Sequence, residues 1–256
     1  MFHLSGPAIV QAISALDLKV GSRGLDAGCG VGCHTDLLAE HIGEMGRLTA
    51  LDISEENLLW ARRHRSHANE VDWVQGDIRA LPFEDSSFDW VWCADTLWPA
   101  ATIDHPGDVL EEFARVVRPG GTIALLFWSS QSLLPGHPGL EARLNEAFVD
   151  SVPYLNAGSP ELHFMRAKSW LQDLALGPAQ GRTFVSDIAP PKNEVERQVL
   201  AECFRMFWDG LDKRVSSSDW NEYRRLCRPQ SPDFLGDTYD YAGFLTYTMF
   251  WVQTDA

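Results

Sequence analysis

The sequence lacks an uninterrupted apolar run of the roughly 18 residues that a membrane-spanning helix requires. Residues 1–21 also lack the basic start and continuous apolar stretch of a secretion signal, so we expect a soluble, cytoplasmic protein. Basic residues are scarce: 21 Lys and Arg stand against 36 Asp and Glu, a formal net charge of −15. A negative field repels phosphate backbones and acidic lipid surfaces, which argues against nucleic-acid and membrane partners.

Cysteine is also sparse, with five residues in 256. The odd number, and the position of several cysteines in segments that resemble buried strand or helix, argue against a disulfide framework and fit a reducing cytosol. Cys29 and Cys33 are four positions apart, but no second Cys/His pair follows at the spacing of zinc ligands. We therefore expect no metal site.

The first half of the chain alternates strand and helix patterns. Strands are predicted at 23–27, 47–53, 71–74, 87–95 and 122–128. Helices are predicted at 7–16 with Pro7 at its start, at 33–42, after a Ser54 cap, and at 107–117, where RPGG (118–121) is expected to end the helix. Strands that alternate with helices indicate a parallel, doubly wound α/β sheet.

The second half is less regular, although its length still fits one α/β domain over 1–256 with insertions, or a domain with a small cap. Short helices are predicted at 140–149, 169–176 and 219–226, and strands at 181–188 and near the C-terminus. Between them, 190–211 contains a strongly amphipathic helix whose aromatic face is expected to be core.

A glycine-rich turn, LDAGCGVGCHT (25–35), follows the first predicted strand. A dinucleotide fingerprint places glycines at positions one, three and six, but the sixth position after Gly28 is Cys33. Asp26 also precedes the turn, and a carboxylate beside a pyrophosphate is repulsive. S-adenosyl-L-methionine has no phosphates and carries a sulfonium and an ammonium, so the turn favours this methyl donor. An NAD-dependent oxidoreductase remains an alternative and predicts that Asp26→Gly is tolerated.

Two further acids end predicted strands. Asp52 lies 22 residues after Gly30, where its carboxylate can accept hydrogen bonds from both ribose hydroxyls, a feature that NAD enzymes share. Asp77 ends the third strand within the sequence GDI and is placed to accept from an adenine amino group. Ile53 and Ile78 are available as apolar plates on either side of the base.

The stretches VQGDIRALPFEDSSFDWVWCADTLW and LEEFARVVRPGGTIALLFW extend this ordered pattern. Together with the glycine turn, the chain resembles the class I S-adenosyl-L-methionine-dependent methyltransferases, especially the branch similar to ubiquinone/menaquinone-biosynthesis enzymes. The resemblance covers 7–128 closely. It implies a Rossmann-like, seven-stranded, mostly parallel sheet whose last strand, at 243–253, is antiparallel.

The resemblance also implies a set of cofactor-binding residues. Asp26, Gly28 and Gly30 would line the methionine end, and Cys93 with Ala94 and Asp95 would pass beneath it and face the substrate. Taken singly, the glycines could serve only a tight turn, and Cys93 is more typical of a small buried residue than of a nucleophile. The full predicted set is Asp26, Gly28, Cys29, Gly30, Asp52, Ile53, Gly76, Asp77, Ile78 and Cys93.

The motifs do not locate a catalytic base. Methyl transfer from a sulfonium is an in-line displacement that depends mainly on alignment, and a base is needed only for a protonated, weakly acidic acceptor. The candidates, each more typical of a structural role, are Asp95, His105, His137, Tyr154 and His163. His137 is the better of these, because its loop follows the fifth strand.

Two features of the sequence depart from the family pattern and bear on the identity of the methyl acceptor. Only about 20 residues precede the first strand, so the insertions at 133–165 and 189–240 are predicted to form a lid. Leu97-Trp98-Pro99 replaces a histidine pair that relatives often show, which leaves open an acceptor other than a quinone precursor. Tryptophans in lid segments favour an apolar or aromatic small molecule. The alternative is a non-catalytic S-adenosylmethionine-binding regulatory protein; the oligomeric state is not readable from the sequence.

Overall fold

The computed structural model describes residues 2–67, 70–99, 103, 105–152, 155 and 159–255. Its helices are α1 (Phe2–Ala15), α2 (Cys33–Ile42), α3 (Glu55–His64), α4 (Pro106–Val116), α5 (Pro138–Ser151), α6 (Ala167–Asp173), α7 (Glu194–Trp208) and α8 (Ser217–Cys227). Its strands are β1 (Arg23–Ala27), β2 (Arg47–Asp52), β3 (Val71–Gln75), β4 (Phe88–Ala94), β5 (Val117–Ser132), β6 (Gln180–Ile188) and β7 (Gly243–Gln253).

The strands form one sheet in the order β3-β2-β1-β4-β5-β7-β6. The pairs β1–β2, β2–β3, β1–β4 and β4–β5 are parallel. β7 runs antiparallel to β5, because the Gly120 N–H donates to Asp255 O while the Thr254 N–H donates to Gly121 O. The predicted seven-stranded, mostly parallel sheet with an antiparallel last strand is therefore confirmed.

The strand order places the site. β1 and β4 are neighbours, and the chain continues from β1 to β2 on one side and from β4 to β5 on the other, so the connections after these two strands lead in opposite directions. In open α/β sheets, ligands bind at such a switch point, outside the carboxyl ends of the strands. Asp26 lies near the end of β1, Asp52 ends β2 and Asp95 follows β4, which brings three acids to this edge.

Two predicted boundaries are wrong. Helix α1 begins at Phe2, so Pro7 lies inside the helix rather than at its start. Helix α4 ends at Val116, next to its predicted end before RPGG, but β5 begins at Val117 rather than at 122, so RPGG lies within the strand. A register irregularity on β4 faces it, and a Cβ on Gly121 would lie 2.6 Å from the Asp89 carbonyl oxygen. The glycines accommodate a close strand contact there.

The chain divides into two compact units. The sheet unit comprises Ile9–Trp128, Ala157–Phe184 and Thr248–Ala256. The helical unit comprises Met1–Ala8, Ser129–Asn156 and Val185–Tyr247. Most of the two predicted insertions falls within the helical unit. The assignments of a single domain and of a lid stay predictions.

The amphipathic face of α7 forms the core of the helical unit. Phe204, Phe207 and Trp208 are buried, as expected, whereas Val195 at the start of the helix is 72% exposed. The Trp208 indole N–H donates to Asn145 Oδ1 at 2.9 Å, so its polar group is satisfied inside the core. Each such side chain contributes about 1.5–3 kcal/mol by burial. Trp208 is thus a packing residue and adds no weight to an aromatic acceptor.

Across the described residues, none of the helices combines the length and the apolar character that crossing a lipid bilayer demands.

Candidate cofactor site

The glycine turn connects β1 to α2 through three residues with a left-handed backbone. Gly28, Gly30 and Gly32 have φ values of +79°, +53° and +76°. A residue with a Cβ pays about 1–2 kcal/mol in this left-handed region. The Gly28 and Cys29 N–H groups both donate to the carbonyl oxygen of Leu51 in β2, at 2.8 and 3.0 Å. The turn is therefore fixed against the end of the neighbouring strand.

The three glycines are needed for different reasons. A Cβ on Gly28 would lie 2.3 Å from Thr96 Cγ2, and one on Gly32 would lie 2.6 Å from the Trp73 ring. A Cβ on Gly30 would have no neighbour within 4 Å. Gly28 and Gly32 thus permit close packing, whereas Gly30 keeps an open space at the strand ends free of a side chain.

Asp52 is held by main-chain donors at the end of β2. Its Oδ2 accepts from the Gly30 N–H at 2.8 Å, and its Oδ1 accepts from the Ser54 N–H at 2.9 Å. The Asn57 side-chain N–H also donates to Oδ1, at 3.5 Å. A carboxylate oxygen has two lone pairs, so Oδ2 can accept one further hydrogen bond, and a ligand hydroxyl at Oδ1 would replace the long contact from Asn57. Asp52 is therefore oriented in advance for the two hydroxyls of a ribose.

Asp26 lies at the base of the turn and is only 2% exposed. Burial raises its pKa to about 7, the Thr35 hydroxyl that donates to Oδ2 at 2.6 Å partly offsets this rise, and nearby Asp52 adds to it. With a pKa near 7, the Asp26 carboxyl group titrates around neutral pH, well above the usual range of an aspartate. The reason is desolvation, which sequence position alone does not reveal.

The end of β4 forms the opposite wall. Asp95 has a left-handed backbone with φ of +48°, and its Oδ1 accepts from the Trp128 N–H at 2.8 Å. The Thr96 hydroxyl lies within hydrogen-bond distance of the carbonyl oxygens of Gly28 and Ala94, and its one proton is donated to one of them or shared between both. Left-handed non-glycine residues are uncommon and concentrate at functional edges. The glycine turn and the end of β4 are thus tied together around one space.

This space is a cleft of about 380 Å³, a volume within the range of small-molecule sites. It is lined by Asp26, Gly28, Cys29, Gly30, Val31, Cys33, His34, Asp52, Ala94, Asp95 and Thr96. Five predicted cofactor residues therefore come together. The other five, which do not line it, are Ile53, Gly76, Asp77, Ile78 and Cys93.

The predicted adenine residues lie beside the cleft. The Gly76 N–H donates to the Asp52 carbonyl oxygen at 3.1 Å, which places the GDI sequence directly next to Asp52. Ile53 is 65% exposed, whereas Ile78 is buried. The Asp77 carboxylate accepts from the Arg79 guanidinium, with the shortest distance 2.6 Å, and this contact lowers the pKa of Asp77. An adenine amine would have to share Asp77 with Arg79, so its role stays a prediction.

Neither predicted cysteine is a nucleophile in this state. Cys93 is buried in β4, and burial followed by the nearby Asp26 raises the pKa of its thiol far above the usual range. Cys29 lies in the turn, where the same two causes raise its thiol pKa. Both thiols are protonated and serve as small wall groups.

His34 and Thr35 line or support the site without having been predicted. The Trp92 indole N–H donates to His34 Nδ1 at 3.3 Å, and burial lowers the pKa of His34 to about 4, so the ring is neutral at pH 7. The position of these two residues could have predicted their role, because the first turn of a helix that follows a glycine turn lies close to the ends of the strands. Thr96 was missed for another reason, since its contact with Gly28 spans 68 residues.

Among the described candidates for a base, only Asp95 lines the cleft. His105 is exposed and precedes α4. His163 accepts from the Met165 N–H through Nδ1, which leaves the proton of the neutral ring on Nε2. His137 precedes α5 in the helical unit. Tyr154 lies outside the described residues.

All five cysteines carry free thiols. In the part of the chain that the structure describes, no group of three or more His, Cys, Asp or Glu side chains is arranged to hold a metal ion.

Residues 25–125 match a protein-family model described as a methyltransferase domain. A demethylmenaquinone methyltransferase of Bacillus cereus is 35% identical over 127 residues, which is 48% of this chain and 52% of that protein. A 2-phytyl-1,4-naphtoquinone methyltransferase of Thermosynechococcus vestitus is 36% identical over 119 residues, 46% of this chain and 52% of that protein. The chain thus spans about half the length of these curated relatives.

Solved structures share the fold across almost the whole chain. A putative methyltransferase from Bacillus halodurans matches with a TM-score of 0.57 and 17% identity, covering 96% of this chain and 99% of that one. Phosphoethanolamine N-methyltransferase 2 of Haemonchus contortus, solved in complex with S-adenosyl-L-methionine, matches with a TM-score of 0.56 and 16% identity. The match covers 96% of this chain and 52% of that one. With the sheet order, these structures show that the chain has the Rossmann-like methyltransferase fold, within which residues 25–125 match the methyltransferase domain.

Proposed function

We propose that this protein transfers a methyl group from S-adenosyl-L-methionine to a small-molecule acceptor. The observation that carries the proposal is the charge of the cleft. Its described lining includes the carboxyl groups of Asp26, Asp52 and Asp95 and no Lys or Arg. The one histidine, His34, is neutral at pH 7 because burial lowers its pKa to about 4.

This charge pattern discriminates between the two cofactor classes. A pyrophosphate in the cleft would meet up to three negative groups and no compensating cation, and charges a few ångströms apart repel strongly where water is displaced. A sulfonium and an ammonium would be attracted by the same groups. The cleft therefore supports the cationic methyl donor over a dinucleotide.

The geometry also suits the donor's neutral parts. Gly30 leaves room for the methionine end, and Asp52 offers two oriented oxygens to the ribose hydroxyls, one of which would replace the Asn57 amide at Oδ1. Ile53 is a large aliphatic side chain exposed directly after Asp52, where an adenine ring would cover it. Covering this side chain would add roughly 1.5–3 kcal/mol to binding if it became fully buried.

The bound donor supplies an already activated methyl group. The chain's own contribution is alignment and exclusion of water: the fixed turn, the carboxylate of Asp52 and the wall at Asp95 hold donor and acceptor in one geometry. If the acceptor carries a proton to be removed, Asp95 is our proposed base, because it is the described candidate that lines the cleft.

We propose an apolar or aromatic acceptor. Trp98 follows β4 by four residues and packs edge-to-face on Phe127 and Phe164, with ring centroids at 5.2 and 4.8 Å. Phe127 and Phe164 are buried, so the half-buried Trp98 is the member of this cluster that an acceptor could contact. The named quinone substrates of the two curated relatives support the same class of acceptor.

We expect this enzyme to act in the cytoplasm.

The test is turnover. Purified protein is incubated with S-adenosyl-L-methionine and a panel of hydroxylated aromatic and quinol acceptors, and S-adenosylhomocysteine is quantified by mass spectrometry. We expect product with at least one acceptor and loss of product in Asp52→Ala. The exposed Asp212→Ala in the helical unit is the control for loss of a surface charge. Donor binding without product across broad metabolite pools would favour the non-catalytic alternative.

A further inference from the structure

Asp26 and Thr35 form a buried pair against the cleft. Asp26 lies near the carboxyl end of β1 and lines the cleft, and Thr35 lies in the first turn of α2. The Thr35 hydroxyl donates to Asp26 Oδ2 at 2.6 Å, and both side chains are buried. Because that hydrogen bond is made from a hydroxyl, it is available whether the carboxyl group is charged or neutral, and it is stronger to the charged form.

No cation compensates Asp26 among the described residues around the cleft. Burial raises the pKa of Asp26 to about 7, and Asp52 contributes further. The other titratable groups there carry no positive charge: the thiols of Cys29 and Cys93 are protonated, His34 is neutral, Cys33 is a further cysteine of the lining, and Asp95 is an acid directly after β4. At and below neutral pH, a proton occupies Asp26 for much of the time.

We propose that binding of the methyl donor expels the proton from Asp26 and that Thr35 is the positioning residue that holds the carboxyl group for this exchange. The inference rests on the proposed function for the identity of the ligand. The protonated carboxyl group loses its proton to solvent, and the carboxylate that remains faces the ligand's positive charge. A nearby opposite charge favours the ionised form, so the proton leaves as the cation enters.

The exchange has a defined pH dependence. Below about pH 7 each binding event must remove a proton, so affinity falls by up to tenfold per pH unit. Above that pH, Asp26 is already ionised and its contribution to the pH dependence ends. Loss of the Thr35 hydroxyl removes a bond that favours the carboxylate, so the transition moves to higher pH.

The experiment uses S-adenosylhomocysteine, which carries the same ammonium and nucleoside. Its binding to the full chain is measured by calorimetry between pH 5.5 and 7.5, in buffers of different ionisation enthalpy, which counts the protons released per complex. We expect net release at pH 6 that declines towards pH 7.5. Any protons that the ligand itself releases are released equally with the Asp26→Asn variant. The difference in proton release between the unmodified protein and this variant therefore belongs to Asp26.

Two variants separate positioning from packing. Thr35→Val should move the pH transition upwards, and Thr35→Ser, which keeps the hydroxyl, should restore it. Binding with no proton release and the same pH profile in Asp26→Asn would overturn this inference while leaving the proposed function intact. No binding at any pH would overturn both. If a variant fails to fold, the proton count of the unmodified protein decides the matter alone.

Discussion

Gly28 and Gly30 both have a left-handed backbone but differ in their surroundings. Substitution of each by alanine, which adds one methyl group, therefore distinguishes a packing role from a ligand-binding role. The backbone cost of alanine is about 1–2 kcal/mol at either position. At Gly28 the new Cβ would also lie 2.3 Å from Thr96 Cγ2 and 2.5 Å from its Oγ1. The Thr96 hydroxyl is held between the carbonyl oxygens of Gly28 and Ala94, so relief of this overlap costs about 1–3 kcal/mol more.

We therefore expect Gly28→Ala to lower the free energy of unfolding by about 2–5 kcal/mol and Gly30→Ala by only about 1–2 kcal/mol. Urea denaturation measures both values. Gly210→Ala is the matched control, since Gly210 has φ of +80° and no atom within 4 Å of its Cβ position. Calorimetry should show at least a tenfold weaker binding of S-adenosylhomocysteine to Gly30→Ala, about 1.4 kcal/mol, and no change in Gly210→Ala.

Two outcomes would refute this reasoning. If Gly28→Ala were as stable as Gly210→Ala, the packing of Thr96 on the turn would not be what demands a glycine. If Gly30→Ala bound S-adenosylhomocysteine as tightly as the unmodified protein, the open space at Gly30 would not be where the ligand lies.

Three further predictions concern buried polar groups. Asp26→Asn mimics the protonated acid; since the pKa of Asp26 rises from 3.8 to about 7 on folding, the substitution should stabilise the free protein by up to about 4 kcal/mol above pH 7 and by little near pH 4, measured by urea denaturation against pH. Asp52→Asn turns an amide nitrogen towards a main-chain N–H and should destabilise by about 1–3 kcal/mol, measured by thermal denaturation. Within the described structure the buried Tyr223 hydroxyl has no hydrogen-bond partner, so Tyr223→Phe should leave stability unchanged or higher, whereas Tyr241→Phe, which strands a main-chain carbonyl, should lower it by about 0.5–1.5 kcal/mol.

Each of these predictions has a contrary result. A stability gain in Asp26→Asn that is the same at pH 4 and pH 8 would mean that the buried carboxyl group does not titrate between them. Full stability of Asp52→Asn would mean that the turn does not depend on this acceptor. Equal losses in the two tyrosine variants would show that the Tyr223 hydroxyl finds a partner.

Local signals predicted the elements that position the site. The bounds of α2 were predicted from the glycines on either side of it, and Ser54 caps α3 by accepting from the Asn57 N–H at 3.2 Å. Local signals failed where tertiary contacts compete with them. RPGG continues β5 because pairing with neighbouring strands outweighs the usual preference of these residues for turns. Pro7 lies inside α1, where its ring removes one main-chain hydrogen bond of the helix.

Some features of the cofactor site could likewise be predicted from the sequence, and others could not. Acids at the ends of parallel strands must meet at one edge of the sheet, so Asp26 and Asp52 could be brought together from the sequence alone. The protonation of Asp26 could not, because it depends on how completely the fold excludes water. The ion pair between Asp77 and Arg79 could not be predicted from the sequence either, although it engages the carboxylate that the family resemblance assigns to adenine. Burial decides the protonation of Asp26, and the direction of the side chains decides the Asp77–Arg79 contact.

The central claim is that an acid-lined glycine turn binds a cationic nucleoside and rejects a pyrophosphate. Calorimetric titration of one protein preparation with S-adenosylhomocysteine and, separately, with NAD tests it directly. We predict saturable binding of S-adenosylhomocysteine at one site per chain and no heat from NAD. Saturable NAD binding without any response to S-adenosylhomocysteine would contradict the account.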